Sequence, residues 1–164
     1  MNTLAIFLIA LLLPISKHGH AFFNQQFINQ QVMQKNPEQT VHEFLTAVQQ
    51  GKLDKAIPLL HPEIQWHQPG SHQFAGQKHS RDELVQMISG MFQFTANSLR
   101  LTTFDNLAVN GNQVACVVHW QAIQEAGGRL SVDNIDSYTV VDGLITQATI
   151  FSADLRQENT FWPN

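Results

Sequence analysis

The sequence is poor in the residues on which several classes of protein depend. Its 164 residues include a single cysteine, Cys116, so the chain cannot form an internal disulfide. Cys116 lies in an apolar run, where we expect a buried, unreactive thiol. Lysine and arginine number 9 against 13 aspartate and glutamate, giving a formal charge of -4. Nucleic-acid surfaces need clustered cations, so we expect no nucleic-acid partner.

The common motifs of metal and cofactor sites are also missing. The chain has no glycine-rich phosphate loop, no Gly-x-Ser-x-Gly elbow and no Cys-x-x-Cys pair. Four of its eight histidines fall in one segment, but none has the helical His-Glu-x-x-His spacing of a zinc site. These four are His61, His67, His72 and His79. We therefore predict neither a metal nor a cofactor.

The first residues have the pattern of an export signal. Residues 4–15 are almost wholly apolar, too short a run for a comfortable membrane span. Gly19 and Ala21 then supply the small residues that a signal peptidase reads. We predict a signal peptide over 1–21 and a periplasmic or secreted protein without membrane contact after cleavage. An uncleaved anchor is the alternative. Residues 22–35, rich in Gln and Asn, are predicted to be a linker or arm, and 36–164 one domain.

Three helices are predicted in the first half of this domain. Asn36-Pro37 is a helix start, and an apolar stripe follows over residues 41–48, with Gly51 as the stop. A shorter helix covers residues 53–60 at the same apolar spacing. A capping box at Ser80 opens the third helix.

The second half has the alternating pattern of strands. Turn sequences at Asn110-Gly111, residues 127–128 and Asp142-Gly143 separate four long strands, and residues 64–68 form a shorter one. Helices followed by consecutive strands predict an α+β fold, with the three helices packed on one face of an antiparallel sheet.

One strand places a carboxylate on its more apolar face. Alternation puts six residues on this face, namely Leu130, Val132, Asn134, Asp136, Tyr138 and Val140. A buried, unpaired carboxylate is costly, so Asp136 is either a structural residue, partnered or at an open end of the sheet, or a pocket acid with a raised pKa.

A histidine and several aromatic residues complete the candidate site. His67 lies on the short strand that should enter the same cavity, where it suits general base chemistry, or it is an exposed loop histidine. The predicted ligand-binding wall consists of Phe44, Trp66, Trp120, Asn134 and Tyr138. Phe44, Trp66 and Trp120 have core packing as their alternative role.

Three segments together resemble a known family. They are residues 44–54, residues 66–70 with Gly76, and residues 134–138 followed by Asp142-Gly143. The chain resembles the SnoaL-like branch of the nuclear transport factor 2-like superfamily, which includes ketosteroid isomerase. The resemblance implies a strongly curved sheet that forms a cone with an internal pocket. It also implies that His67 and Asp136 stand at the two catalytic aspartates of ketosteroid isomerase, and that Phe44 stands where that enzyme needs a tyrosine hydroxyl.

Two functions are compatible with these features. One is an exported protein that binds a small apolar molecule, such as a carbonyl or polyketide-like compound, and performs isomerase, cyclase or hydrolase-type acid/base chemistry. The other is a non-catalytic ligand-binding or protein-interaction module of the same fold, because this fold hosts many functions. A homodimer through the outer sheet face is left open.

The export signal makes a direct prediction. When the full chain is expressed in a bacterial host, we expect the exported protein to begin at Phe22, because Ala21 ends the predicted cleavage site. Intact-mass spectrometry measures this start, and Ala21→Arg, which places a long cation at the site, should abolish processing. An exported protein that retains residues 1–21 would contradict the prediction.

Overall fold

A computed structural model describes residues 36–164 of the chain. The predicted signal peptide and linker lie outside these residues. The helices are α1 (Pro37–Gln49), α2 (Leu53–Ala56), α3 (Arg81–Phe94) and α4 (Leu155–Phe161), with a 3-10 turn at Ile57–Leu59. The strands are β1 (Leu60–Gln68), β2 (Gly76–Lys78), β3 (Arg100–Asn110), β4 (Gln113–Ile123), β5 (Arg129–Val141) and β6 (Leu144–Ser152). No helix in this range is long and apolar enough to cross a membrane.

The strands form one six-stranded sheet in the order β2-β1-β6-β5-β4-β3. Strands β3 to β6 are an antiparallel meander, as the turn sequences predicted. Strand β1, however, pairs in parallel with β6. The prediction of an antiparallel sheet is therefore wrong, and the sheet is mixed. Alternation within a strand identifies its two faces but not its neighbour, and these two partners are separated in the sequence by α3 and the rest of the meander.

The three helices predicted before the meander are present, but the prediction missed a fourth, α4, which follows the last strand. Asp154 is its N-cap, and its carboxylate accepts a hydrogen bond from the Gln157 N–H at 2.9 Å. The spacing Asp-x-x-Gln is a recognised helix start, so the signal was present in the sequence. The helix has only 7 residues and little intrinsic stability. Burial of Glu158, Phe161 and the following Trp162 attaches it to the domain.

The predicted caps and faces position the remaining elements. Asn36 accepts from the Gln39 N–H at 2.7 Å and Gln39 reaches back, which completes a capping box on α1. The stripe of α1 is buried at Val41, Phe44 and Leu45. All six inner-face residues predicted for β5 are buried, while the alternate positions are exposed or half-buried. Helix α1 contacts β3, β4, β5 and β6, helix α3 contacts β1 and β2, and α4 contacts β5.

Candidate functional site

A cavity of about 750 Å³ lies between the helices and the inner face of the sheet. Residues from all four helices and from β1, β3, β4, β5 and β6 line it, and most of them are apolar. All five predicted ligand-binding residues and Asp136 are among them: Phe44, Trp66, Trp120, Asn134 and Tyr138. This volume is within the range of small-molecule sites.

Asp136 is the most unusual polar group in the cavity. Its side chain is on the inner face of β5, and the residue is 3% exposed. Tyr138, two positions along the same strand face, donates its hydroxyl to Oδ2 at 2.8 Å. Oδ1 has no hydrogen-bond partner among residues 36–164. Burial raises the pKa of Asp136 to about 7, with a further increase from the charge of Glu158, although the Tyr138 hydrogen bond acts in the opposite direction.

Glu158 is a second buried carboxyl group at the cavity, and the sequence analysis did not identify it. Helix α4 places it there, and it is 2% exposed. With its amide nitrogen directed at this carboxylate, Asn134 donates to Oε1 at 3.2 Å and to the Asp133 carbonyl at 2.9 Å. Burial raises the pKa of Glu158, while hydrogen bonding from Ser152 and Asn134 limits the increase. Recognising the helix start at Asp154 would have drawn attention to Glu158.

The structure does not bring His67 to the cavity. On β1 the alternate residues Trp66 and Gln68 are buried and line it, and the Trp66 Nε1–H donates to Gln68 Oε1 at 3.2 Å. His67 points to the other face, where Nδ1 hydrogen-bonds the Gln77 amide at 3.1 Å. The expectation that His67 and Asp136 share one cavity is therefore wrong. The cause is the two-residue period of a strand, which gives neighbours Trp66 and His67 opposite faces.

Aromatic rings surround the hydroxyl that binds Asp136. The Tyr138 ring meets Phe44 edge-on at a centroid distance of 5.9 Å and Trp66 at 6.3 Å. Phe44 has no hydroxyl, but the Tyr138 hydroxyl is in the same cluster and is already bound to the carboxylate. The polar end of the cavity is thus a carboxyl group beside three rings.

Comparison with known proteins agrees with this architecture. The SnoaL-like domain family matches residues 41–148. The chain belongs to the SnoaL-like family. The match includes Phe44, Trp66, Asn134, Asp136 and Tyr138, whereas Glu158 lies after it. A comparison with curated proteins found no match.

Solved structures share the fold of this SnoaL-like domain. A protein of unknown function with a cystatin-like fold from Xanthomonas campestris is 27% identical, with a TM-score of 0.75 over 79% of this chain and 100% of the other. Bal32a, from a soil-derived mobile gene cassette, is 19% identical with a TM-score of 0.71, over 77% and 95% of the two chains. TerC, crystallised with polyporic acid, is 14% identical with a TM-score of 0.67, over 77% and 98%.

The SnoaL-like domain has another polar cluster on the opposite, outer sheet face. His119 Nδ1 lies 2.6 Å from Asp133 Oδ1, and its Nε2 lies 3.1 Å from Ser131 Oγ. A serine, a histidine and an aspartate hydrogen-bonded in this order form the catalytic triad of many enzymes that use a serine nucleophile. However, the His119 and Asp133 side chains are 26% and 61% exposed, so water surrounds any charge that develops there. None of the three lines the cavity, and we interpret them as cross-strand contacts.

Cys116 is buried on β4 directly opposite Asp136, as expected for an unreactive thiol. Burial, followed by the charge of Asp136, raises the pKa of this thiol to about 12. The thiol therefore stays protonated at neutral pH and is a poor nucleophile. Cys116 acts here as an apolar neighbour of the carboxyl group.

The buried carboxyl of Asp136 should make stability depend on pH. The folded protein keeps this proton up to about pH 7, whereas an ordinary aspartate releases it near 3.8. Between these values the folded state binds more protons, so the free energy of unfolding falls as pH rises, by about 4 kcal/mol for this group. Asp136→Asn should remove this part of the decline. Urea unfolding at pH 4, 6 and 8 measures it.

Two controls accompany this measurement. Asp105→Asn changes an exposed carboxylate on β3 and should leave the pH dependence of wild type unchanged. The raised pKa of Glu158 acts in the same direction as that of Asp136, so some decline should remain in Asp136→Asn. Parallel pH profiles for wild type and Asp136→Asn would contradict a raised pKa for Asp136.

Proposed function

We propose that this SnoaL-like domain binds a small, largely apolar molecule in the cavity and that Asp136 exchanges a proton with the ligand's polar group. One observation carries the proposal: Oδ1 of Asp136, on a residue 3% exposed, has no partner in the described part of the chain and lies at a cavity of about 750 Å³. A buried acceptor left unsatisfied costs about 1–3 kcal/mol, more if charged. A ligand that bonds to Oδ1 would offset this cost.

The environment of Asp136 supports acid/base chemistry. A general acid or base works best when its pKa is near the working pH, and burial brings the pKa of Asp136 to about 7. Tyr138 holds Oδ2, so the proton exchanges at Oδ1. His67 lies outside the cavity, so Glu158 takes its place as the second acid/base group. Glu158 lines the cavity, and its charge affects the pKa of Asp136. A sheet curved into a cone would keep bulk water away from both groups.

A non-catalytic binding module is the second candidate, and Phe44 favours it. A phenyl ring cannot donate a hydrogen bond, so an oxyanion formed at that position would lack one stabilising contact. The co-crystallised polyporic acid of TerC supports small-molecule binding by this fold in either case. Ligand binding without chemical change would select this candidate.

Export is part of the proposal. Residues 1–21 carry the signal-peptide pattern, so we place the function in the periplasm or outside the cell. The mass measurement described for Phe22 tests the proposed cleavage.

Binding can be tested with Nile red, a neutral apolar dye. We expect saturable one-to-one binding with a rise in fluorescence. Ile88→Trp, which adds volume at a half-buried residue of α3 that lines the cavity, should weaken binding at least tenfold. Asp105→Asn is the control with unchanged binding. Equal affinity of wild type and Ile88→Trp would contradict binding in this cavity.

Proton exchange can be tested with β-tetralone, an apolar ketone with acidic α-hydrogens. We expect the protein to accelerate α-deuteration in D₂O, followed by proton NMR, and Asp136→Asn to lower the rate at least 100-fold, because general base catalysis contributes this much. Asp105→Asn should retain the full rate. Undiminished exchange in Asp136→Asn would remove the role of Asp136, and bound ketone without exchange would select the non-catalytic candidate.

We also propose a homodimer through the outer face of the sheet. Val117, Ile135 and Phe151 are 37%, 54% and 55% exposed and are direct neighbours across β4, β5 and β6. Such a continuous apolar row favours a protein contact. Ile135→Asp should convert the dimer to a monomer in sedimentation experiments, whereas Gln86→Asp, which adds the same charge at an exposed residue of α3, should remain dimeric. A wild-type protein that is monomeric at all concentrations would contradict the proposal.

A further inference from the structure

We infer that the ligand carries a positive charge: it is a lipophilic amine whose ammonium group binds Oδ1 of Asp136 beside the rings of Phe44, Trp66 and Tyr138. The inference rests on the proposed ligand binding and adds the chemical class of the polar group. Acid/base chemistry alone gives no preference between an amine and a carbonyl compound, and the inference selects the amine.

The charges around the cavity are the first argument. Within residues 36–164, three residues with ionisable charged side chains line the cavity: Asp136, Glu158 and Arg100. The two acids are 3% and 2% exposed. Arg100 is exposed, and its Nη1–H donates to the Leu99 carbonyl. The buried charge therefore has one sign, and charges interact more strongly in such a low-dielectric place than in water. An ammonium group is attracted, and an anionic ligand is repelled.

The hydrogen-bond donors are the second argument. A carbonyl ligand at Asp136 needs a donor there, but the Tyr138 hydroxyl donates to Asp136 and the Trp66 Nε1–H donates to Gln68. The Trp162 Nε1–H, which also lines the cavity, has no hydrogen-bond partner among residues 36–164 and is the indole donor left for a neutral ligand. The Asn134 amide donates to Glu158 and to a backbone carbonyl. What remains unsatisfied on Asp136 is an oxygen, Oδ1. When ionised, this oxygen accepts hydrogen bonds only, so a ligand with N–H donors and a positive charge complements it.

The aromatic residues are the third argument. Phe44 and Trp66 meet the Tyr138 ring at 5.9 Å and 6.3 Å, and Tyr138 itself bonds the carboxylate. Ring faces attract cations, and aromatic clusters beside a carboxylate suit ammonium ligands. Phe44 has a ring without a hydroxyl. An oxyanion would lack a hydrogen-bond donor at this position, whereas a cation needs no donor there.

Binding of a cation also fixes the protonation state of Asp136. The groups that face it are Tyr138 on β5, Cys116 on β4 and Glu158 on α4. Burial raises the pKa of Tyr138 and brings that of Cys116 to about 12, so both stay neutral between pH 5.5 and 8.5. Asp136 and Glu158 remain as the titrating acids, and an ammonium ligand favours their ionised forms. Asp136 would then act as a base in any proton transfer.

Three adamantane derivatives of nearly equal size test the inference: 1-aminoadamantane, 1-adamantanol and 2-adamantanone. Their Kd values are measured by calorimetry from pH 5.5 to 8.5. If the amine binds the ionised carboxyl only, its Kd should fall about 30-fold over this range, because the ionised fraction rises with pH through a pKa of about 7. The neutral compounds should bind less tightly at pH 8.5 and should not gain affinity with pH.

Variants assign the effect to the carboxyl group. Asp136→Asn keeps the size of the side chain but removes its charge, so it should lower the affinity for the amine at pH 8.5 at least tenfold. It should also reduce the pH dependence of amine binding to the part that Glu158 contributes. Asp105→Asn should behave as wild type. The pH dependence of the amine and alcohol in wild-type protein stands as evidence by itself if Asp136→Asn does not fold.

The outcomes separate this inference from the function on which it rests. Tighter binding of the alcohol or ketone than of the amine at pH 8.5 would overturn the inference while leaving ligand binding intact. So would an amine affinity that Asp136→Asn does not change, or Nile red binding without amine binding. Failure of all three adamantanes and of Nile red would overturn the proposed function as well.

Discussion

The hydrogen bond from Tyr138 to Asp136 is the interaction around which this domain is arranged. It joins two inner-face residues of β5 and holds a carboxyl group at 3% exposure in a mostly apolar cavity. The bond satisfies one carboxyl oxygen and leaves the other without a partner within the described residues. A core that enclosed only a structural aspartate would be expected to satisfy both oxygens. The chemistry proposed for the cavity depends on this difference.

The neighbouring elements maintain this arrangement in different ways. Helix α1 brings Phe44 against the Tyr138 ring, and β1 adds Trp66. Helix α4 supplies Glu158, whose negative charge opposes ionisation of Asp136. Two acids with raised pKa values thus lie in one cavity, and the charge of Glu158 helps to keep Asp136 protonated. A positively charged ligand would instead favour the ionised forms of these acids. The charge of the ligand and the protonation state of Asp136 are therefore linked.

Local patterns predicted much of the fold and part of the site. Capping residues located the starts of α1 and α3, and glycine turns separated the meander strands, because these signals act over a few residues. The alternation along β5 placed Asn134, Asp136 and Tyr138 on the buried face. The same rule, applied to β1, would have directed Trp66 inward and His67 outward. Assigning His67 to the cavity relied on its position in the chain and not on its strand face.

The sequence by itself determined the three helices before the meander, the four meander strands, the α+β class and the presence of a carboxylate on an apolar strand face, since each depends on side chains close together in the chain. Only the tertiary structure decided that β1 lies parallel to β6, that α4 brings Glu158 to the cavity, and that Oδ1 of Asp136 is left without a partner in the described range. These features come from contacts between residues far apart in sequence. Their formation depends on which surfaces pack together, and a local sequence pattern does not predict that packing.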